Sequence, residues 1–142
     1  ELKVLEEKFK LHHLAVEDIV HGQQRSKVEA YDDYVIIVGH GWGPADHGEQ
    51  ANIFLGKNFL VTVNMHGMPG VTQAFDRIKR NPSMIKRGHD YLAYVVLDAL
   101  SDSFLPEIDE LEKKKEELEA ERKRKDDETR KAKAPRKGRA KE

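Results

Sequence analysis

The sequence predicts an α+β domain followed by a long helix, and three observations predict it. Val35-Ile36-Ile37-Val38 is a continuous run of β-branched and apolar residues too short to make a helix. Ala51–Leu55 and Phe59–Val63 are two further strand-like runs, separated by Gly56-Lys57-Asn58, a turn in which glycine and asparagine supply positive φ. On either side of these strands, apolar residues recur at helical spacing.

The helices come first along the chain. Leu2, Leu5 and Phe9, joined by Val4, fall on one face through Lys10. Leu11-His12-His13 breaks that pattern and opens a second short helix, in which Leu11, Leu14, Ala15, Ile19 and Val20 form the apolar stripe. Gly22 is its expected C-cap, and Gln23–Lys27 reads as a polar connection. Tyr31 and Tyr34 lead into the Val35–Val38 strand, expected to be covered on both faces. The glycine density of residues 39–48 then predicts a hairpin loop. After the second hairpin, His66-Gly67-Met68-Pro69-Gly70 is a breaker, and Val71, Ala74, Phe75 and Ile78 line one face of a helix that ends at Asn81-Pro82. From His89 a long helix begins, dense in apolar residues as far as Leu105 and expected to kink at Pro106. Its later part keeps only Ile108, Leu111 and Leu118, with pairs four apart such as Glu110 with Lys114 and Glu121 with Lys125 to hold it. Residues 132–142 are expected to be disordered. The organisation expected is a domain over residues 1–88, a helix over 89–130 and a charged tail over 131–142.

Composition excludes several functions. With 36% charged residues against 38% hydrophobic, part of the 142-residue chain must stay solvated. The absence of cysteine rules out disulfides and thiolate metal sites. Residues 107–142 carry 14 basic and 12 acidic side chains, leaving 11 and 14 in the body, which is mildly acidic. No apolar run reaches the roughly 20 residues that span a bilayer, and no signal-peptide pattern opens the chain. As given it is expected to be soluble. Because it begins at Glu1, without methionine and inside an apparent helix, a fragment is expected.

Glu17 and Asp18 interrupt the apolar pattern of the second helix and are expected to face solvent. Adjacent helical residues point about 100° apart, so the pair cannot grip one ion head-on and needs partners from elsewhere. A polar stripe of Asp90, Tyr94, Asp98 and Asp102 runs down the long helix. Oxygen-only carboxylate clusters suit hard cations such as Mg²⁺, and simple solvation would suit the same acids. His13, Glu17 and His21 share a helix face and offer nitrogen and oxygen to Zn²⁺ or Co²⁺, but they are spread along two turns, too far for one ion to reach both histidines. Gly39-x-Gly41-x-Gly43 follows a strand but precedes another strand, which argues against dinucleotide binding. His40, His47 and His66 read as solvated loop residues, and no nucleophile, base and orienter stand together, so no enzymatic activity is expected. The basic runs at 122–125 and 130–141 are interleaved with acids and lack aromatic residues, so no nucleic-acid binding is expected.

Leu11-His12-His13-Leu14-Ala15-Val16-Glu17-Asp18-Ile19, Gln24–Glu29, Tyr31-Asp32-Asp33-Tyr34 and Phe54–Val63 together resemble the CorA family of magnesium transporters. Phe75-Asp76-Arg77, Asp90-Tyr91-Leu92, Leu97–Leu100 and Phe104-Leu105-Pro106 continue the resemblance in the same order, over roughly residues 2–118. It implies a three-layer αβα cytoplasmic domain, here lacking the N-terminal strands that complete the family's sheet, so that three strands would remain. It also implies a homopentamer in which Mg²⁺ between subunits holds the pore closed. Asp18 matches the family's intersubunit Mg²⁺-sensing aspartate, and Glu17 and Asp98 match carboxylates of a neighbouring second site.

The departures from the family are specific. The other intersubunit aspartate, both membrane helices and the Gly-Met-Asn pore motif are missing, and the usual proline at the position of His13 is replaced, which weakens that helix start. The expectation is a cytoplasmic Mg²⁺-sensing regulatory domain of a CorA-like Mg²⁺/Co²⁺ channel or transporter, itself without the pore. Its partners would be a divalent ion, held weakly or as a half-site and with Co²⁺ or Zn²⁺ as alternatives to Mg²⁺, and further copies of itself. The parent would sit at the cytoplasmic face of the inner membrane, reached only through the missing C-terminal helices. Two other readings stay open: a stand-alone interaction domain that binds a partner or nucleic acid through its charged helix, and the regulatory domain of a zinc-transporting relative.

Overall fold

The computed structural model describes residues 2–21, 23–45 and 47–133. The C-cap expected at Gly22 and nearly all of the tail expected to be disordered lie outside the described residues. The chain divides into two units, one ending at Phe104 and the other beginning at Leu105.

The first unit is built on an antiparallel sheet of four strands in sequence order, β1 (Lys27–Ala30), β2 (Tyr34–Trp42), β3 (Gly48–Gly56) and β4 (Leu60–Val63). β3 and β4 pair with Leu55 opposite Leu60 around the anticipated Gly-Lys-Asn turn, which Gly56 N–H closes by donating to Phe59 O at 3.0 Å. β1 is not expected from the sequence. Only four residues long and lying at the sheet edge, with alternate residues exposed, it reads as polar, and its pairing of Lys27 with Val38 is what makes it a strand. The sheet therefore has four strands and not three.

Alternation along β2 and β3 divides the apolar side chains between two layers. Tyr34, Ile36, Val38 and Phe54 pack under α1 (Leu2–Phe9) and α2 (His13–Val20), which contribute Leu5, Ala15, Val16 and Ile19, with Leu11 from between them. Ala51 and Ile53 on the other face meet α3 (Pro69–Arg80) and α4 (His89–Asp102) through Val71, Ala74, Ile78, Val95, Val96 and Leu100. Ile37 packs from β2 against this second cluster, so β2 is covered on both sides, as its apolar run predicts.

Residues 39–42 are strand and not loop. The glycines there bring a helix close to the sheet: a Cβ on Gly41 would stand 2.8 Å from Leu100 Cδ2 and 3.1 Å from Met68 Cε. Gly41 therefore reports helix–sheet approach, with β2 running on to Trp42 and β3 starting at Gly48. A 3₁₀ turn, Pro82–Arg87, joins α3 to α4.

α2 starts well without the family's proline. His12 has extended backbone, and its Nδ1 accepts a hydrogen bond from Leu14 N–H at 3.2 Å, so an imidazole satisfies one of the first-turn donors. The expected kink near Pro106 is a break: α4 stops at Asp102, and α5 (Leu105–Lys133) begins with Pro106 at its second position, where a missing N–H costs nothing. α5 has no buried side chain and carries the expected Glu110–Lys114 pair at 2.5 Å.

Candidate metal-binding residues

α2 carries the acidic pair. Ala15, Val16 and Ile19 anchor its inner face in the first core layer, which turns Glu17 and Asp18 outward, both exposed. The segment after the helix is tied to the sheet. Gln24 Nε2 donates to Asp18 O at 3.2 Å, Gln24 N–H donates to Gln50 Oε1 at 2.6 Å, and Gln50 Nε2 donates to Asn52 Oδ1 at 2.9 Å. This polar chain holds the end of α2 against β3. Neither Glu17 nor Asp18 is in an ion pair among the described residues. The nearby cation is Lys27, whose hydrogen bond to Glu29 at 2.7 Å raises its pKa, with the Asp18 charge adding to the effect.

Asp98 lies elsewhere. α4 packs on the opposite face of the sheet from α2, so one chain does not bring Asp98 to Glu17 and Asp18. Its carboxylate, 37% exposed, is 3.7 Å from Arg77 of α3. An ion that used both helices would have to draw them from two copies. The His13–Glu17–His21 face is likewise not assembled: His13 Nδ1 is 2.9 Å from Glu6 Oε1, and His21 Nδ1 is 2.9 Å from the Glu17 carbonyl. Glu6 raises the pKa of His13, by that hydrogen bond first and by its charge second. Among the described residues, no three His, Asp or Glu side chains already surround a point where an ion would sit.

A further polar grouping stands at Glu49. His47 and His66, expected to be solvated, both approach Glu49, whose side chain is only 9% exposed: His66 Nδ1 is 3.2 Å from Oε2 and His47 Nε2 is 3.6 Å from Oε1. The available signal was the period of β3. Glu49 shares a strand face with Ala51 and Ile53, a carboxylate in register with core residues. His66, from the loop after β4, has no local signal.

A four-stranded antiparallel sheet between helices makes this an α+β domain. The sequence matches the family model described as CorA-like Mg²⁺ transporter protein over residues 1–136, and the chain belongs to that family. It is 32% identical over 123 residues to YfjQ of Bacillus subtilis, covering 86% of this chain and 39% of that protein. It is 31% identical over 119 residues to the cobalt/magnesium transport protein CorA of Thermotoga maritima, covering 80% of this chain and 34% of that one. Among solved structures, the fold resembles the soluble domain of CorA from Methanocaldococcus jannaschii, with a TM-score of 0.64 and 22% identity over 84% of this chain and 50% of that one. The complete CorA magnesium transporter of the same organism superposes with a TM-score of 0.71 and 22% identity, over 85% of this chain and 39% of that one. The chain thus spans between a third and two fifths of the length of these two curated relatives. Among its described residues, no helix is long and apolar enough to cross a membrane.

Proposed function

We propose that this chain is the metal-sensing part of a CorA-like divalent-cation channel or transporter, with Asp18, assisted by Glu17, as its contribution to a Mg²⁺ site at a boundary between copies. The supporting observation is that both carboxylates are exposed and free of ion pairs among the described residues, on a helix whose other face is anchored in the core. Solvated carboxylates suit Mg²⁺, which keeps most of its water and accepts one or two acidic oxygens. One chain alone offers a half-site, and Asp98 of another copy is the proposed complement. Such carboxylates repel when empty and are bridged when the ion binds, so the ion favours the arrangement in which they meet. The assembly would present this domain to the cytosol, where it would report the internal concentration of the ion.

The test is proteolysis of the parent assembly with and without Mg²⁺. Protection by Mg²⁺ should be present in the unsubstituted protein and lost in Asp18→Ala. Equal protection in both would remove Asp18 from the proposed role.

A further inference from the structure

We propose that α5 pairs antiparallel with α5 of a second copy of this chain, along a seam where basic side chains of one helix lie over apolar side chains of the other. α5 is a helix without a core of its own. It buries no side chain, and Leu105, Ile108, Leu111 and Leu118 are between 46% and 66% exposed. Ile108, Leu111, Lys115, Leu118, Arg122 and Lys125 follow one another at alternating steps of three and four, which places all six on one face. The apolar members of this seam precede Arg122 and Lys125, with Lys115 among them.

The charge of the whole helix is segregated in the same sense. Residues 105–121 carry eight acidic and three basic side chains, and residues 122–133 carry three acidic and seven basic. The helix macrodipole favours acids and bases only within the first and last turns, so it does not account for a division that runs through all of α5. These charges are also largely unused within the helix: among the described residues a single ion pair joins two residues of α5, Glu110 with Lys114.

A partner for this seam must offer cations to apolar residues bordered by acids, and the same helix reversed supplies them. Parallel copies would set Arg122 and Lys125 against their own images. Antiparallel copies set the basic end of each over the acidic start of the other, twice by the two-fold axis. With the axis between Glu116 and Glu117, Ile108 of one copy faces Lys125 of the other, Leu111 faces Arg122, and Lys115 faces Leu118. The stems of lysine and arginine are apolar and cover Ile and Leu while their charged heads stay at the rim. Glu112 and Glu119, each next to a seam leucine, border the seam and receive those heads.

The chain has no cysteine, so introduced thiols report the register in the full 142-residue chain. Under mild oxidation Ile108→Cys with Lys125→Cys should give a disulfide-linked dimer. Ile108→Cys alone should not, because the axis puts the two copies of that position about 25 Å apart along the helices. Sedimentation velocity should show a dimer at low ionic strength that moves toward monomer as salt is raised. Arg122→Glu should weaken association about tenfold, since two-fold symmetry repeats the loss at both ends of the seam. Adding Glu112→Lys should restore most of it, a recovery that damage to the helix alone would not allow. A monomer at low ionic strength, a link through Ile108→Cys alone, or a dimer that Arg122→Glu leaves intact would each overturn the proposal. The pairing uses no carboxylate of α2, so Asp18→Ala leaves it in place, and it can fail separately from the Mg²⁺ reading.

Discussion

Gly70→Ala should destabilise the first unit, and the structure gives the size of the effect. Gly70 is the second residue of α3, where it passes α4 so closely that a Cβ would stand 2.7 Å from the Ala99 carbonyl oxygen and 3.2 Å from Leu100 Cα. The nearest atom is thus about 0.7 Å short of ordinary 3.4 Å contact, and it is helix backbone, which cannot swing aside like a side-chain tip. Forcing the helices apart is overpacking, at a cost of about 1–3 kcal/mol. Alanine returns up to about 1 kcal/mol through helix propensity, less in a first turn. The net loss expected is about 1–2 kcal/mol, which lowers the urea midpoint by roughly 1 M at unchanged slope. Gly67→Ala is the matched control, since a Cβ there meets nothing within 4 Å. Equal midpoints for Gly70→Ala and the unsubstituted chain would refute the close-approach argument.

Two more outcomes follow from packing and charge. Phe54 is 0% exposed, so Phe54→Ala should cost about 3–5 kcal/mol and lower the thermal midpoint by more than about 12 °C, measured by circular dichroism; a drop of only a few degrees would mean the layer under α1 and α2 is loosely packed. His13 should titrate above its ordinary 6.5 by NMR, because the Glu6 carboxylate accepts a hydrogen bond from the protonated ring and its charge favours that form. A folded-state pKa above the unfolded value means that the tie between α1 and α2 is fully present below the unfolded pKa and weakens as pH rises through the folded one. Glu6→Gln should return the titration toward 6.5, and an unmoved curve would dismiss the pairing.

Local chemistry made some elements legible and hid others. The β3–β4 hairpin could be read because Gly56-Lys57-Asn58 states its own turn, and α3 because its apolar period lies within twelve residues. β1 was hidden because Lys27-Val28-Glu29-Ala30 has no apolar run, and its strand identity is conferred by β2 alongside. Gly41 misled for a related reason: glycine marks both turns and close approaches, and only the position of Leu100 distinguishes the two. Glu17 and Asp18 were legible as outward acids from helical spacing. That Asp98 lies across the sheet was not, since local spacing does not show which face a later helix covers. The Glu49 grouping joins a strand to a loop beyond the next strand, a separation that no local pattern records.

The order of the sheet also bears on how this chain reaches its fold. Among the described residues every strand pairs with its immediate neighbour in sequence, β1 with β2, β2 with β3 and β3 with β4, with no crossover between partners. The loops to be closed are short, so little chain entropy is lost before the first pairings form. The sheet is completed on both faces only by the helices, which bury Phe54 on one side and Ile53 on the other.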